Sequence, residues 1–176
     1  LEKDRQLQAR HATEVGNAER ALLAEIRTRL SDRPGPVSFE DRKGRIRWPL
    51  ALARVEIPFG DRIHPTFKTI TPHPGLTLEF RGAPVRNVRS IAFGRVAWSG
   101  RMRGFGTTVV LDHASGWYSV YAGMASLEVI PGQVVREGDV LGKVERTPGD
   151  LGVRLYFELR RGDSAVDPLP YLERTQ

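Results

Sequence analysis

Between residues 31 and 36 the chain changes character abruptly, and that break limits the folds open to it. Leu1 to about Leu30 holds no proline and a single glycine, and is rich in Glu, Arg, Gln and Ala, all good helix formers. Leu7, Val15, Leu22, Ile26 and Leu30 recur near helical spacing and draw a thin apolar stripe on a polar rod. The spacing predicts an N-terminal α-helix. Its stripe is too narrow for a domain core, so the helix either packs on the rest of the chain or ends a longer coiled coil. Ser31-Asp32-Arg33-Pro34-Gly35-Pro36 stops it, because each proline pushes the residue before it out of the helical region.

From Pro36 on, the chain carries most of its glycines and all but one of its prolines, and its apolar residues come in short alternating runs. Leu76 to Phe80, Ile91 to Trp98, Thr107 to Leu111, Trp117 to Tyr121, Val140 to Val144 and Leu155 to Arg160 are predicted strands. Turns at Arg103-Gly104, Ala114-Ser115-Gly116, Pro131-Gly132 and Glu137-Gly138-Asp139 separate them. The expected fold class is therefore mainly β and antiparallel, with sheets folded over one another, preceded by the N-terminal α-helix. Residues 1–35 read as helix and linker, and 36–176 as the domain.

Charge narrows the partners without naming one. There are 27 Lys+Arg against 21 Asp+Glu, a net charge of +6, and the acids are interleaved among the bases. Anionic partners are favoured. No basic helix, aromatic RNA-binding signature or run of like charge is present, so nucleic-acid binding is not expected. With no cysteine, disulfide scaffolds and thiolate zinc sites are excluded. No apolar run approaches the roughly 20 residues that cross a bilayer, so no transmembrane segment is expected. The chain opens at Leu1 and is expected to be a trimmed piece or mature fragment of a longer protein.

The chemistry-bearing residues begin at Phe59-Gly60-Asp61-Arg62-Ile63-His64-Pro65 and continue through His73-Pro74-Gly75-Leu76-Thr77-Leu78. Further blocks are Val120-Tyr121-Ala122-Gly123-Met124 and Val153-Arg154-Leu155-Tyr156-Phe157-Glu158. In this order, the blocks resemble the LytM or lysostaphin-type zinc endopeptidases, with their Arg-x-His-Pro, His-x-Gly-x-Asp, Tyr-Ala-His-Leu and His-Leu-His-Phe-Glu segments. The resemblance spans about residues 45 to 172. It implies a LytM-type β domain of the duplicated-hybrid-motif kind, with folded sheets around a groove.

The departures from that pattern bear on function. The resemblance implies zinc ligands at His73, Thr77 and Tyr156, and catalytic histidines at Arg154 and Gly123; only His73 keeps the family's residue. Catalytic zinc takes three protein ligands drawn from imidazole, carboxylate or thiolate. A hydroxyl and a neutral phenol are poor substitutes, and a guanidinium, always protonated and donor-only, repels a dication. Neither His64 nor His113 stands at a ligand position. No metal, no cofactor and no catalytic residue are therefore expected, and His73 reads as a hydrogen-bonded groove residue.

Strand period suggests what replaces the metal. In Arg154 to Arg160, the residues Leu155, Phe157 and Leu159 point to one face, while Arg154, Tyr156, Glu158 and Arg160 point to the other. The second set either lines a surface for protein contacts or forms a solvated ladder of ion pairs. Gly44 to Leu50, Leu155 to Arg161 and Ala165 to Leu172 narrow the resemblance to the zinc-free murein hydrolase activators of the same family. That group implies a periplasmic protein behind a coiled coil, which switches on an N-acetylmuramoyl-L-alanine amidase for septal peptidoglycan splitting. It also implies control of the coiled coil by an ABC-transporter-like complex at the division site. The groove would dock a regulatory helix of the amidase through Phe105, Thr108, Tyr156 and Arg160, with Arg154, His73, Thr77 and Tyr121 around them. Phe105 lies in a Gly-Phe-Gly turn that either presents its ring or tucks it into the core. Two other expectations stand beside this one: a zinc-dependent peptidoglycan endopeptidase with shifted ligands, and a passive peptidoglycan-binding scaffold drawn by charge.

Overall fold

The computed structural model describes residues 38–174, together with Arg20. Apart from Arg20, which is helical, the expected N-terminal helix lies outside the described residues. A short 3-10 turn, Glu40–Arg42, precedes the strands β1 (Arg54–Ile57), β2 (Gly60–Ile63), β3 (Ile70–His73), β4 (Leu76–Phe80), β5 (Val85–Arg89) and β6 (Gly94–Met102). There follow β7 (Gly106–Asp112), β8 (Trp117–Met124), β9 (Ser126–Leu127), β10 (Val134–Val135), β11 (Val140–Glu145), β12 (Val153–Arg161) and β13 (Ser164–Val166). The fold is mainly β, and its paired strands are antiparallel.

One large sheet runs β1-β4-β12-β8-β7-β6-β10, with β13 also paired to β12. A second sheet, β5-β11-β9, and the separate hairpin β2-β3 complete the domain. The core follows from strand period. Leu155, Phe157 and Leu159 are buried, as are their cross-strand neighbours Leu78, Leu76 and Tyr121. Val88, Leu141 and Val144 of the smaller sheet belong to the same cluster. Each such side chain stabilises the fold by about 1.5–3 kcal/mol on burial. Phe39 stacks on Trp117 of β8 with ring centroids 5.1 Å apart, Tyr171 packs edge-on to the same Trp117, and Ile46 bridges to Leu172, so both ends of the described chain are tied to the sheet and to each other.

The predicted strands lie within a few residues of the observed ones. The largest shifts are at the two ends of β6, predicted from Ile91 to Trp98 and observed over Gly94–Met102; Ile91 is buried but does not yet pair. The backbone at Ser90 is held by β11's approach, through Ser90 N to Asp139 O at 2.9 Å and Gly138 N to Ser90 O at 2.8 Å. The Ser90 hydroxyl donates to Ala92 O at 2.6 Å and keeps the chain bent there.

Candidate functional site

The outward face of β12 forms the floor of a cavity of about 480 Å³. Cross-strand register sets its rows, because paired residues of neighbouring strands share a face. Tyr156 pairs with Thr77 of β4 and Ala122 of β8, and Ala122 with Thr108 of β7. One step along, Arg154 pairs with Glu79, which pairs with Arg54 of β1. The cavity is lined by His73, Thr77, Phe105, Gly123, Asp150, Arg154 and Tyr156 among others.

Tyr156 is the centre of an aromatic cluster. Its ring centroid lies 5.6 Å from that of His73, edge-on, and 5.6 Å from that of Phe105. The ring lies over Gly75, where any Cβ would collide with both it and the Phe157 carbonyl. Its hydroxyl donates to Glu158 at 3.0 Å. Burial first, and the Glu158 carboxylate second, push the phenol above its usual range, so Tyr156 is neutral. His73 Nε2 lies 3.3 Å from Thr77 Oγ1. Burial and then the Arg62 charge hold this imidazole below its usual range, against an upward pull from Glu158, which leaves it neutral at pH 7.

Arg154 is held from several segments. Its guanidinium donates to both oxygens of Glu56 on β1, at 2.7 and 2.9 Å, and lies 2.8 Å from Asp150. Glu79, buried beneath it, is 3.8 Å away. Glu79 is itself bonded by Arg54 and Arg81, and the Arg54 hydrogen bond holds its carboxyl below the ordinary range despite burial. Gly123 is the extra residue where the β7 and β8 register shifts, with φ 79° and its N–H donating to Phe105 O at 3.1 Å. Left-handed backbone of this kind favours glycine.

Of the residues singled out in the sequence, His73, Thr77, Phe105, Arg154 and Tyr156 meet around this one cavity. Phe105 is 40% exposed, so its ring is presented rather than tucked away. Thr108 shares the Tyr156 row but is fully buried, its hydroxyl donating to Gly106 O at 3.1 Å. Arg160 bonds Glu158 and the Asp163 carbonyl beside the cavity rather than lining it. Tyr121 corrects the expectation: it is fully buried in the core, paired with Phe157, and its hydroxyl accepts from Ile91 N at 3.1 Å. Glu56, Glu79 and Asp150, which hold Arg154, were missed. The alternation of β4 puts Glu79 on the Thr77 face and was a usable signal; Glu56 and Asp150 carry none.

The donor set at the cavity does not fit a catalytic zinc. One imidazole stands beside a hydroxyl, a neutral phenol and a guanidinium, and the carboxylates nearest Arg154 are engaged with arginines. Among the described residues no three His, Asp or Glu side chains converge as metal ligands require.

Peptidase family M23 matches residues 71–168. The DD-carboxypeptidase/endopeptidase Mpg of Neisseria meningitidis serogroup B is 35% identical over 133 residues, which are 73% of this chain and 30% of that protein. The murein hydrolase activator EnvC of Escherichia coli is 39% identical over 87 residues, 49% of this chain and 21% of that protein. The solved structure of Helicobacter pylori Csd3 aligns with a TM-score of 0.61 at 27% identity, over 74% of this chain and 35% of the other. The chain thus spans less than a third of the length of these two curated relatives.

Proposed function

The chain belongs to peptidase family M23, and from that premise we propose that its groove docks a protein segment rather than cleaving a peptide. The domain is a non-catalytic activator of a periplasmic N-acetylmuramoyl-L-alanine amidase, acting in septal peptidoglycan splitting. The observation that carries this reading is the filling of the ligand positions. A guanidinium held by Glu56 and Asp150 and a phenol held by Glu158 stand where the family pattern has imidazoles. The likeness to EnvC, whose name is that of an activator, supports it.

An activator works through differential affinity. By gripping the amidase's inhibitory helix only in its displaced conformation, the groove shifts the enzyme toward its open state. Tyr156 and Phe105 supply the apolar contact, in the manner of a helix laid in a groove. The chemistry stays with the partner. Residues 1–35 belong on this reading to a coiled-coil arm controlled by the ABC-transporter-like division complex.

The test is release of dye from labelled peptidoglycan by purified amidase with and without this chain. Stimulation by the mixture and no release by the chain alone are expected. A second reading, a zinc-dependent endopeptidase, is favoured by the likeness to Mpg. It requires tightly held zinc and release of dye by the chain alone; either result would displace the activator reading.

A further inference from the structure

The cavity floor is aromatic, but its mouth is charged, and the charges are unevenly placed. Two hairpins frame it. On β2-β3, Arg62 pairs with Thr71, which stands two residues from His73, so Arg62 shares the face that His73 turns to the cavity. At the β6-β7 turn, Arg103 immediately precedes Gly104 and Phe105, both of which line the cavity. Both arginines are exposed, and neither has an ion pair or hydrogen bond among the described residues. Of the two carboxylates on the lining, Asp150 is neutralised by Arg154. Glu145 remains, contributed by the end of β11 and not by either hairpin.

We infer that the groove takes an acidic amphipathic helix, its apolar face on Tyr156 and Phe105 and its carboxylates toward Arg62 and Arg103. This rests on the docking reading above and supplies what that reading leaves open, the charge of the partner segment. Two cations without an ion pair or hydrogen bond among the described residues, carried to one mouth by separate hairpins, set a positive rim that steers acidic segments and rejects basic ones. The aromatic floor supplies the desolvated contact on which affinity depends. The charges decide which helix is admitted.

The test uses the full 176-residue chain and two synthetic helical peptides with the same Leu/Phe stripe, one flanked by Glu and the other by Lys. Binding is read by fluorescence anisotropy at low and high salt. The Glu peptide is expected to bind about ten-fold more tightly at low salt, with the difference shrinking as salt screens it. Reversing both charges, Arg62→Glu with Arg103→Glu, should invert the preference, while Arg62→Lys with Arg103→Lys should keep it. Equal affinities for the two peptides, or a preference untouched by the reversal, would overturn the charge assignment. If in that case Tyr156→Ala still abolishes binding of both peptides, the groove reading survives. Binding that ignores Tyr156→Ala, or no binding of either peptide, overturns both.

Discussion

His113 shows how one buried side chain ties the domain's stability to pH. It is fully enclosed, with Nδ1 2.7 Å from Phe93 O and Nε2 2.6 Å from Ser119 Oγ. A carbonyl only accepts, so Nδ1 carries the proton and Nε2 accepts from Ser119, whose oxygen lies 3.0 Å from the Tyr121 hydroxyl. Burial lowers the imidazole to about 4 and raises the Tyr121 phenol to about 12. Between the ordinary value of 6.5 and about 4 the unfolded chain binds a proton that the folded chain refuses. The stability this residue contributes is therefore complete above pH 6.5 and declines as pH falls toward 4, by at most about 3 kcal/mol at 1.36 kcal/mol per unit. Urea titrations across that window should show the decline in the wild type and a flatter profile in His113→Gln. Equal slopes would place the acid sensitivity elsewhere. Gly75 makes a second test: Gly75→Ala drives a methyl into the Phe157 carbonyl and the Tyr156 ring, and should cost about 1–3 kcal/mol by overpacking. At single positions the sequence was readable where a strand has one core face: the alternation of Leu155, Phe157 and Leu159 holds in the structure. Tyr121 was not, because β8 is buried on both faces, Trp117, Ser119 and Tyr121 on one and Val120 and Ala122 on the other, so burial alone does not mark the groove side.

Among the elements, Arg154 is the cross-link. It joins β12 to the edge strand β1 through Glu56 and to the 147–150 turn through Asp150. β1 is four residues long and pairs on one side only, so it relies on such ties. Arg154→Ala is expected to lower Tm by about 3 °C and to speed amide exchange in β1 and in residues 147–152, leaving β8 protected. Unchanged exchange in β1 would show the bidentate pair to be a surface contact of no consequence. The long strands β4, β7, β8, β11 and β12 were legible because each buries one or both faces. The two-residue strands β9 and β10 were not, since they exist only through distant partners, and the exposed β2-β3 hairpin has no apolar face for a period to mark.

For the molecule as a whole, the cavity is built on the outward face of β12 and braced by hydrogen bonds and ion pairs. Thr77, Tyr156 and Arg154 line the cavity; Glu56 and Asp150 hold Arg154, and Glu158 holds Tyr156. No helix among the described residues is long and apolar enough to cross a membrane. That the groove exists was legible from the order of the motifs. How it is wired was not, because ion pairs such as Arg154 with Glu56 join residues 98 apart. The decisive assay is dye release from labelled peptidoglycan by a purified amidase mixed with wild-type chain or with Tyr156→Glu. The docking account predicts stimulation by the wild type and at least a ten-fold loss with the variant, whose β spectrum should be unaltered, since a buried carboxylate would displace the apolar contact. Full stimulation by folded Tyr156→Glu would contradict it.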